Sequence, residues 1–194
     1  MFSIKLFNTK IEFCFSFFAV IALVSLFDGT SYILLGLLCC LLHELGHISA
    51  MCIFNVPPRK IQFYGAGIKI TVNEKMTSLK KELIIELAGC ITNVLIFFIL
   101  YFFAQSFTVK IFATMNLIIG LFNLLPFKYF DGGKIIDLLL DLYSDKNRYA
   151  LRMGIRIIAI SLLVIVGIIC YLKNKGNISL FISIIYIIIS ELFL

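Results

Sequence analysis

The chain has 194 residues, 61% of them hydrophobic and only 14% charged, and its mean hydropathy is +1.06. A soluble domain of this size cannot bury so much apolar surface, so lipid is the natural solvent, and the same composition excludes disorder. The formal charge of +6 reads as basic loops at a membrane face and not as a nucleic-acid surface, and the six cysteines lie in apolar runs, as small hydrophobes and not as a disulfide framework.

In chain order, apolar runs cover 11–27, 32–54, 83–103, 111–127, 153–172 and 178–194. Each is near the ~17–25 residues that cross a hydrocarbon layer. The first resembles an uncleaved start signal, because Phe27-Asp28-Gly29-Thr30 follows it in place of a small-residue cleavage site. After the second run, Ile61 and Phe63, then Ile68, Ile70 and Val72, alternate around Gly65 and Gly67. That pattern predicts a β-hairpin over 61–72. The fourth run ends in Pro126, and the sixth carries Glu191. Between the fourth and fifth, Asp137, Asp141 and Asp145 recur every four residues, as on a solvated helix face. The expected architecture is an all-α polytopic membrane protein: about six transmembrane helices, a small membrane-associated β-hairpin after the second, and one domain spanning residues 1–194.

Lys and Arg set the orientation. With the N-terminus inside, only Lys110, Lys173 and Lys175 of the 17 basic residues fall on the outer side. This positive-inside bias predicts a multi-pass protein of the cell membrane with a cytoplasmic N-terminus. With six spans, the C-terminus is cytoplasmic too.

The chain has two histidines, and they stand four residues apart with a glutamate directly after the first: His43-Glu44-Leu45-Gly46-His47. On a helix, positions i and i+4 share a face, so both imidazoles can reach one ion. Glu44 lies about 100° further round the same turn, close enough to touch a water on the metal. This is the arrangement of a zinc metalloprotease, two nitrogen ligands and a carboxylate base. Ionisable groups inside an apolar span point the same way, because they are costly there.

A catalytic zinc takes a third protein ligand, and no histidine remains. Cys39, one turn before His43, is one candidate; a thiolate there favours a closed structural site. Asp131 is better placed, after Pro126 and beside Gly132 and Gly133. Proline interrupts the helix and the glycines permit unusual backbone geometry, so the carboxylate can be aimed inward. The alternative for Asp131 is an N-cap of the following helix.

At these two segments the sequence resembles the site-2 protease family of intramembrane zinc proteases. That family carries His-Glu-x-x-His on one transmembrane helix and Asn-x-x-Pro-x-x-x-x-Asp-Gly on a later one. Here stand His43-Glu44-x-x-His47 and Asn123-x-x-Pro126-x-x-x-x-Asp131-Gly132, matching at every defined position. The resemblance implies that His43, His47 and Asp131 bind Zn²⁺, that Glu44 activates the water, and that Asn123 positions the substrate or polarises its carbonyl. The six-span layout looks like the stage IV sporulation protease subgroup, whose members clip a membrane-associated pro-sigma factor. The nucleotide-sensing C-terminal domain usual there is not expected in this chain, which stops at Leu194. Leu87-Ala88-Gly89-Cys90-Ile91-Thr92-Asn93 looks like the family's Gly-Pro-x-x-Asn with Cys90 in place of proline; by itself Asn93 reads as an interhelical hydrogen bond.

The function expected is zinc-dependent endopeptidase chemistry on a membrane-embedded or membrane-associated protein substrate, by regulated intramembrane proteolysis. Expected partners are that substrate, the lipid bilayer, a membrane inhibitor or regulator, and a second copy of the chain; nucleic acid is not among them. Two alternatives stand beside this reading. A metal transporter or metal-binding membrane protein would mark an ion path with polar residues on several helices and often a histidine-rich loop; the loops here have no histidine. A catalytically silent scaffold would have no need of Glu44.

Overall fold

Alternation of apolar and polar residues begins at the N-terminus. In Phe2-Ser3-Ile4-Lys5-Leu6 and Thr9-Lys10-Ile11-Glu12-Phe13 every second side chain is apolar or nearly so, the period of a strand with one face buried. The computed structural model describes residues 2–6, 9–27, 32–65, 67–72, 78–143 and 147–173. In it these two segments are strands β1 (Phe2–Leu6) and β2 (Thr9–Phe13). After them come α1 (Phe15–Phe27), α2 (Tyr32–Ile53), β3 (Lys60–Tyr64), β4 (Gly67–Thr71), α3 (Leu79–Phe103), α4 (Phe107–Asn123), α5 (Asp131–Tyr143) and α6 (Arg148–Lys173). The fold is mostly helical with a small sheet. The expected hairpin is present as β3–β4, but it is half of a four-stranded sheet of order β1-β2-β3-β4. The first apolar run is correspondingly shorter than expected: residues 11–13 belong to β2, and α1 has 13 residues.

Among the described residues, α2, α3 and the Arg148–Ile169 part of α6 are long and apolar enough to cross a membrane, while α4 has 17 residues. The run 178–194, and Asp145 of the acidic series, lie outside the described residues. The outward faces of α3 and α6 carry large apolar side chains such as Phe98, Ile99, Phe102, Ile157, Ile158 and Leu162, all exposed, which is the surface a lipid-facing helix presents. The chain divides into two compact units, Met1–Phe122 and Asn123–Leu194.

In the first unit, the two hairpins join through a parallel β2–β3 pair. The register makes the sheet strictly two-faced. Phe2, Phe13, Phe63 and Ile68 align across it, and so do Ile4, Ile11, Ile61 and Ile70. On the opposite face Lys5, Lys10 and Lys60 stand in one row and Glu12, Gln62 and Lys69 in the next. Like charges side by side repel; Glu12 offsets this at the seam. Its carboxylate takes Lys10 Nζ at 2.8 Å, Lys60 Nζ at 2.8 Å and Gln62 Nε2 at 2.8 Å, and the residue is only 1% exposed. The hydrogen bonds from Lys10 and then Lys60 outweigh desolvation and hold the carboxyl down at about 2. The apolar face meets the helices: Phe13 stacks on Phe63 with centroids 4.7 Å apart, Phe17 of α1 sets its edge on Phe63, and Ile70 and Val72 pack on Ala50, Met51 and Ile85.

Helix α2 ends where its sequence says it must. Asn55 takes a left-handed φ of 57°, the Val56 N–H donates to the Met51 carbonyl and the Asn55 N–H to the Cys52 carbonyl. This is the Schellman arrangement, and Pro57-Pro58 prevents the helix from resuming. Helices α2 and α3 then approach closely at Gly46, where an added Cβ would lie 2.8 Å from the Ala88 carbonyl oxygen and against the Thr92 side chain.

In the second unit, α5 and α6 are tied by ion pairs. Asp137 meets Arg152 at 2.6 Å and Arg156 at 3.6 Å; Asp141 meets Arg148 at 3.2 Å and Arg152 at 3.9 Å. The acidic face read as solvated is therefore a partly covered ion-pair ladder.

Candidate metal centre

His43 and His47 come together on the buried face of α2, 4% and 5% exposed. Their rings lie edge to face, and the two Nε2 atoms are 3.1 Å apart. His47 Nδ1 is 2.7 Å from the Ile85 carbonyl oxygen of α3. A carbonyl only accepts, so Nδ1 carries the proton and Nε2 of His47 is the unprotonated nitrogen, the kind that accepts a hydrogen bond or ligates a metal. Two imidazole nitrogens at ~2.0–2.1 Å from a tetrahedral zinc would be about 3.3 Å apart. The donor spacing would suit one ion, and the Nδ1–carbonyl bond is of the kind that orients a histidine when it ligates a metal.

Glu44 follows His43 on α2 and is half-buried, so it keeps some access to water. Cys39, the other candidate third ligand, is turned onto α4: its thiol lies 3.8 Å from the Phe112 carbonyl and accepts from Asn116 Nδ2 at 3.1 Å. This is packing chemistry, as its fully buried position suggests.

Two residues were not placed beside the histidines by the sequence reading. A carboxylate oxygen of Glu86 lies within 4.8 Å of a ring nitrogen of His47, and Cys90 Sγ lies within 4.8 Å of a ring nitrogen of His43. Glu86 was detectable as an acid inside an apolar run; Cys90 stands out in the sequence only as the residue at the proline position of the Gly-Pro-x-x-Asn-like segment. Asn93 is fully buried against α4, where a Cβ on Gly120 would stand 3.1 Å from its own Cβ. The expected interhelical hydrogen bond is not made among the described residues: neither amide atom of Asn93 has a partner there.

Asn123 and Asp131 belong to the second unit. Asn123, half-buried, is the last residue of α4, and the helix stops three residues before Pro126. The Phe130 carbonyl accepts from the N–H groups of Gly133 at 3.1 Å and Lys134 at 3.4 Å. Phe130 thus occupies the cap position and Asp131 the first turn of α5, buried, with Lys134 Nζ 3.4 Å from its Oδ1. The two glycines serve close approach and not unusual dihedrals. A Cβ on Gly132 would collide with the Leu124 and Leu125 carbonyls, and one on Gly133 with the Phe127 carbonyl, whereas among the described glycines only Gly67 has positive φ. The loop 124–127 therefore lies directly on the first turn of α5 and clamps the backbone that carries Asp131.

Comparison with known proteins gives three likenesses. Residues 104–166, which include Asn123 through Asp131, match peptidase family M50. The chain is 32% identical over 130 residues to Stage IV sporulation protein FB of Bacillus subtilis (strain 168), a match covering 63% of this chain and 45% of that protein. In fold it is similar to the site-2 protease from Methanocaldococcus jannaschii, with a TM-score of 0.64 at 24% identity, covering 96% of this chain and 92% of that one. The chain is thus similar to family M50 over residues 104–166 and to a site-2 protease in fold, it spans less than half the length of the sporulation protein it matches, and its apolar helices are those of a membrane-embedded protein.

Proposed function

We propose that the protein is an intramembrane zinc endopeptidase in which His43, His47 and Asp131 hold the ion, Glu44 carries the proton and Asn123 steadies the scissile carbonyl. The observation that supports this most is the pair of buried Nε2 atoms 3.1 Å apart, one of them with its Nδ1 committed to a carbonyl. The M50 match adds that relatives of this chain are peptidases. A bound zinc ion supplies Lewis acidity, lowering the pKa of a water and polarising the carbonyl under attack. Glu44 accepts the proton from the attacking water and returns it to the leaving amine. The Asn123 amide donates to the oxygen on which charge develops.

The substrate class we propose is a membrane-embedded or membrane-associated protein, and the motif resemblance makes a pro-sigma factor the first candidate. A helical substrate hides its peptide bonds and must be extended before it is cut. Strand β4 is an edge of the sheet and packs through Ile70 beside Ile85, so an extended substrate segment could pair with it. We also propose six spans with a cytoplasmic N-terminus, on the strength of the basic asymmetry. Cysteines placed at Lys80 and Lys110 should then label from opposite sides of the membrane; labelling of both from one side would overturn that topology.

Glu44→Gln tests the chemistry. The variant should retain zinc and substrate and lose ~10²–10⁴-fold in cleavage rate. Cleavage at the wild-type rate would remove Glu44 as the base. Ile70→Pro, which takes a donor from the edge strand, should impair cleavage with zinc content intact; normal cleavage would reduce the hairpin to a connecting loop.

A further inference from the structure

Helix α3 grips the His47 ring at both ends. At one end the Ile85 carbonyl oxygen is 2.7 Å from Nδ1. At the other, one helical turn later, Gly89 leaves a gap. A Cβ built there would press on the ring, nearest of all to Nε2 and 2.6 and 2.8 Å from Cε1 and Cδ2. Contacts this short are never tolerated, so either the imidazole or the helix would have to move. We infer that Gly89 and the Ile85 carbonyl form the seat of His47, setting the place and tautomer of its ring, and that Gly89 is thereby a positioning residue for metal binding. The inference rests on the zinc reading given above.

Three glycines in the same pair of helices have different neighbours, and this separates a ring seat from ordinary packing. A Cβ on Gly46 would meet the Ala88 backbone and the Thr92 side chain, so Gly46 sets the distance between helices. A Cβ on Gly36 would meet nothing within 4 Å. The three nearest atoms to a Cβ on Gly89 all belong to the His47 ring, and the nearest is the donor nitrogen itself. Residues 85 and 89 also share one face of α3. The carbonyl that fixes the proton on Nδ1 and the gap that admits Nε2 are therefore supplied by adjacent turns. Neither residue is ionisable or exposed, so no scan for ligands would find them.

The test compares full-length wild type with Gly36→Ala, Gly46→Ala and Gly89→Ala in nanodiscs. Zn²⁺ and Co²⁺ affinity would be read by chelator competition, and thermal unfolding on metal-free samples. Wild type and Gly36→Ala should bind alike. Gly89→Ala should lose roughly 10–100-fold in metal affinity, as removal of a histidine's outer partner does, should shift the Co²⁺ visible spectrum, and should unfold at the wild-type temperature when metal-free. Gly46→Ala should lower the unfolding temperature. Wild-type affinity in Gly89→Ala overturns the inference, as does an affinity loss that merely tracks a fall in unfolding temperature shared with Gly46→Ala. A wild type that binds no metal would instead overturn the zinc reading. Nitrogen NMR of the metal-free wild type then tests the seat directly, even if Gly89→Ala fails to fold: His47 should be protonated at Nδ1, and protonation at Nε2 overturns the seat.

Discussion

Helices α2 and α3 and helices α5 and α6 are two pairs held by opposite means. The first pair meets through missing side chains: Gly46 lets the backbones close up, Gly89 admits a ring, and one histidine–carbonyl bond crosses the gap. The second pair meets through charge: Asp137 and Asp141 against Arg148, Arg152 and Arg156, all partly exposed. Short-range repulsion is steep, so the first pair holds its backbones closely, and an atom added at Gly46 would have to displace the Ala88 backbone. Ion pairs in contact with water are soft and screened, so the second pair keeps its partners together without fixing atoms closely. The histidines stand on the unforgiving pair, which suits the proposal that they hold one ion, since a binding constellation needs closely fixed side chains.

The largest effect that would break this contrast is at the site. His47→Ala should reduce bound zinc from about one per chain to almost none, as measured by metal analysis of purified protein, because two of the ligands share one helix turn. Retention of metal would mean that the rings do not bind it. Next is Gly46→Ala, which puts a methyl group into a closed interface. Such overpacking costs about 1–3 kcal/mol, and reversible unfolding in mixed micelles should show it; a neutral result would mean that the α2–α3 interface is as soft as α5–α6.

The sheet offers an intermediate case, since Glu12 is a charge that is nevertheless buried. Its carboxyl is lowered from 4.5 to about 2 by Lys10 and then Lys60. The stability it contributes is fully present above pH 4.5 and is lost as the pH falls through about 2. Hydrogen exchange at β2 and β3 should therefore accelerate over that window in wild type, and Glu12→Gln should already exchange faster at pH 7 and be flat across it. The smallest effect belongs to the ion-pair ladder. Asp141→Asn should change stability by only ~0.2–1 kcal/mol, and the difference should shrink as salt is raised. A loss as large as that of Gly46→Ala would erase the distinction between the two pairs.

The shared face of the two histidines was legible because an i, i+4 pair needs nothing beyond helix geometry: once this segment is a helix, His43 and His47 face one way. The end of α2 is equally local, carried by Asn55 and the two prolines, although the apolar run 32–54 is read without them. Residues 2–13 had a readable period of two, but the apolar run that begins at Ile11 absorbed their second half, and the strand was counted into a span. The setting of Cys39 could not be read from spacing, because its contact with Asn116 of α4 depends on how distant segments meet.

The sequence by itself determined the solvent, the main apolar helices and the paired histidines with their glutamate, since composition and short-range periodicity carry these; the Asn123 to Asp131 segment was singled out by resemblance to a family motif. Tertiary structure alone decided that two hairpins some fifty residues apart would share a parallel seam around Glu12. It also decided that a backbone carbonyl and a missing Cβ on α3 would hold the ring of His47. The physical reason is that a carbonyl is the same group at every residue and a glycine is defined by what it lacks. What either one does depends on the atoms that another segment brings against it.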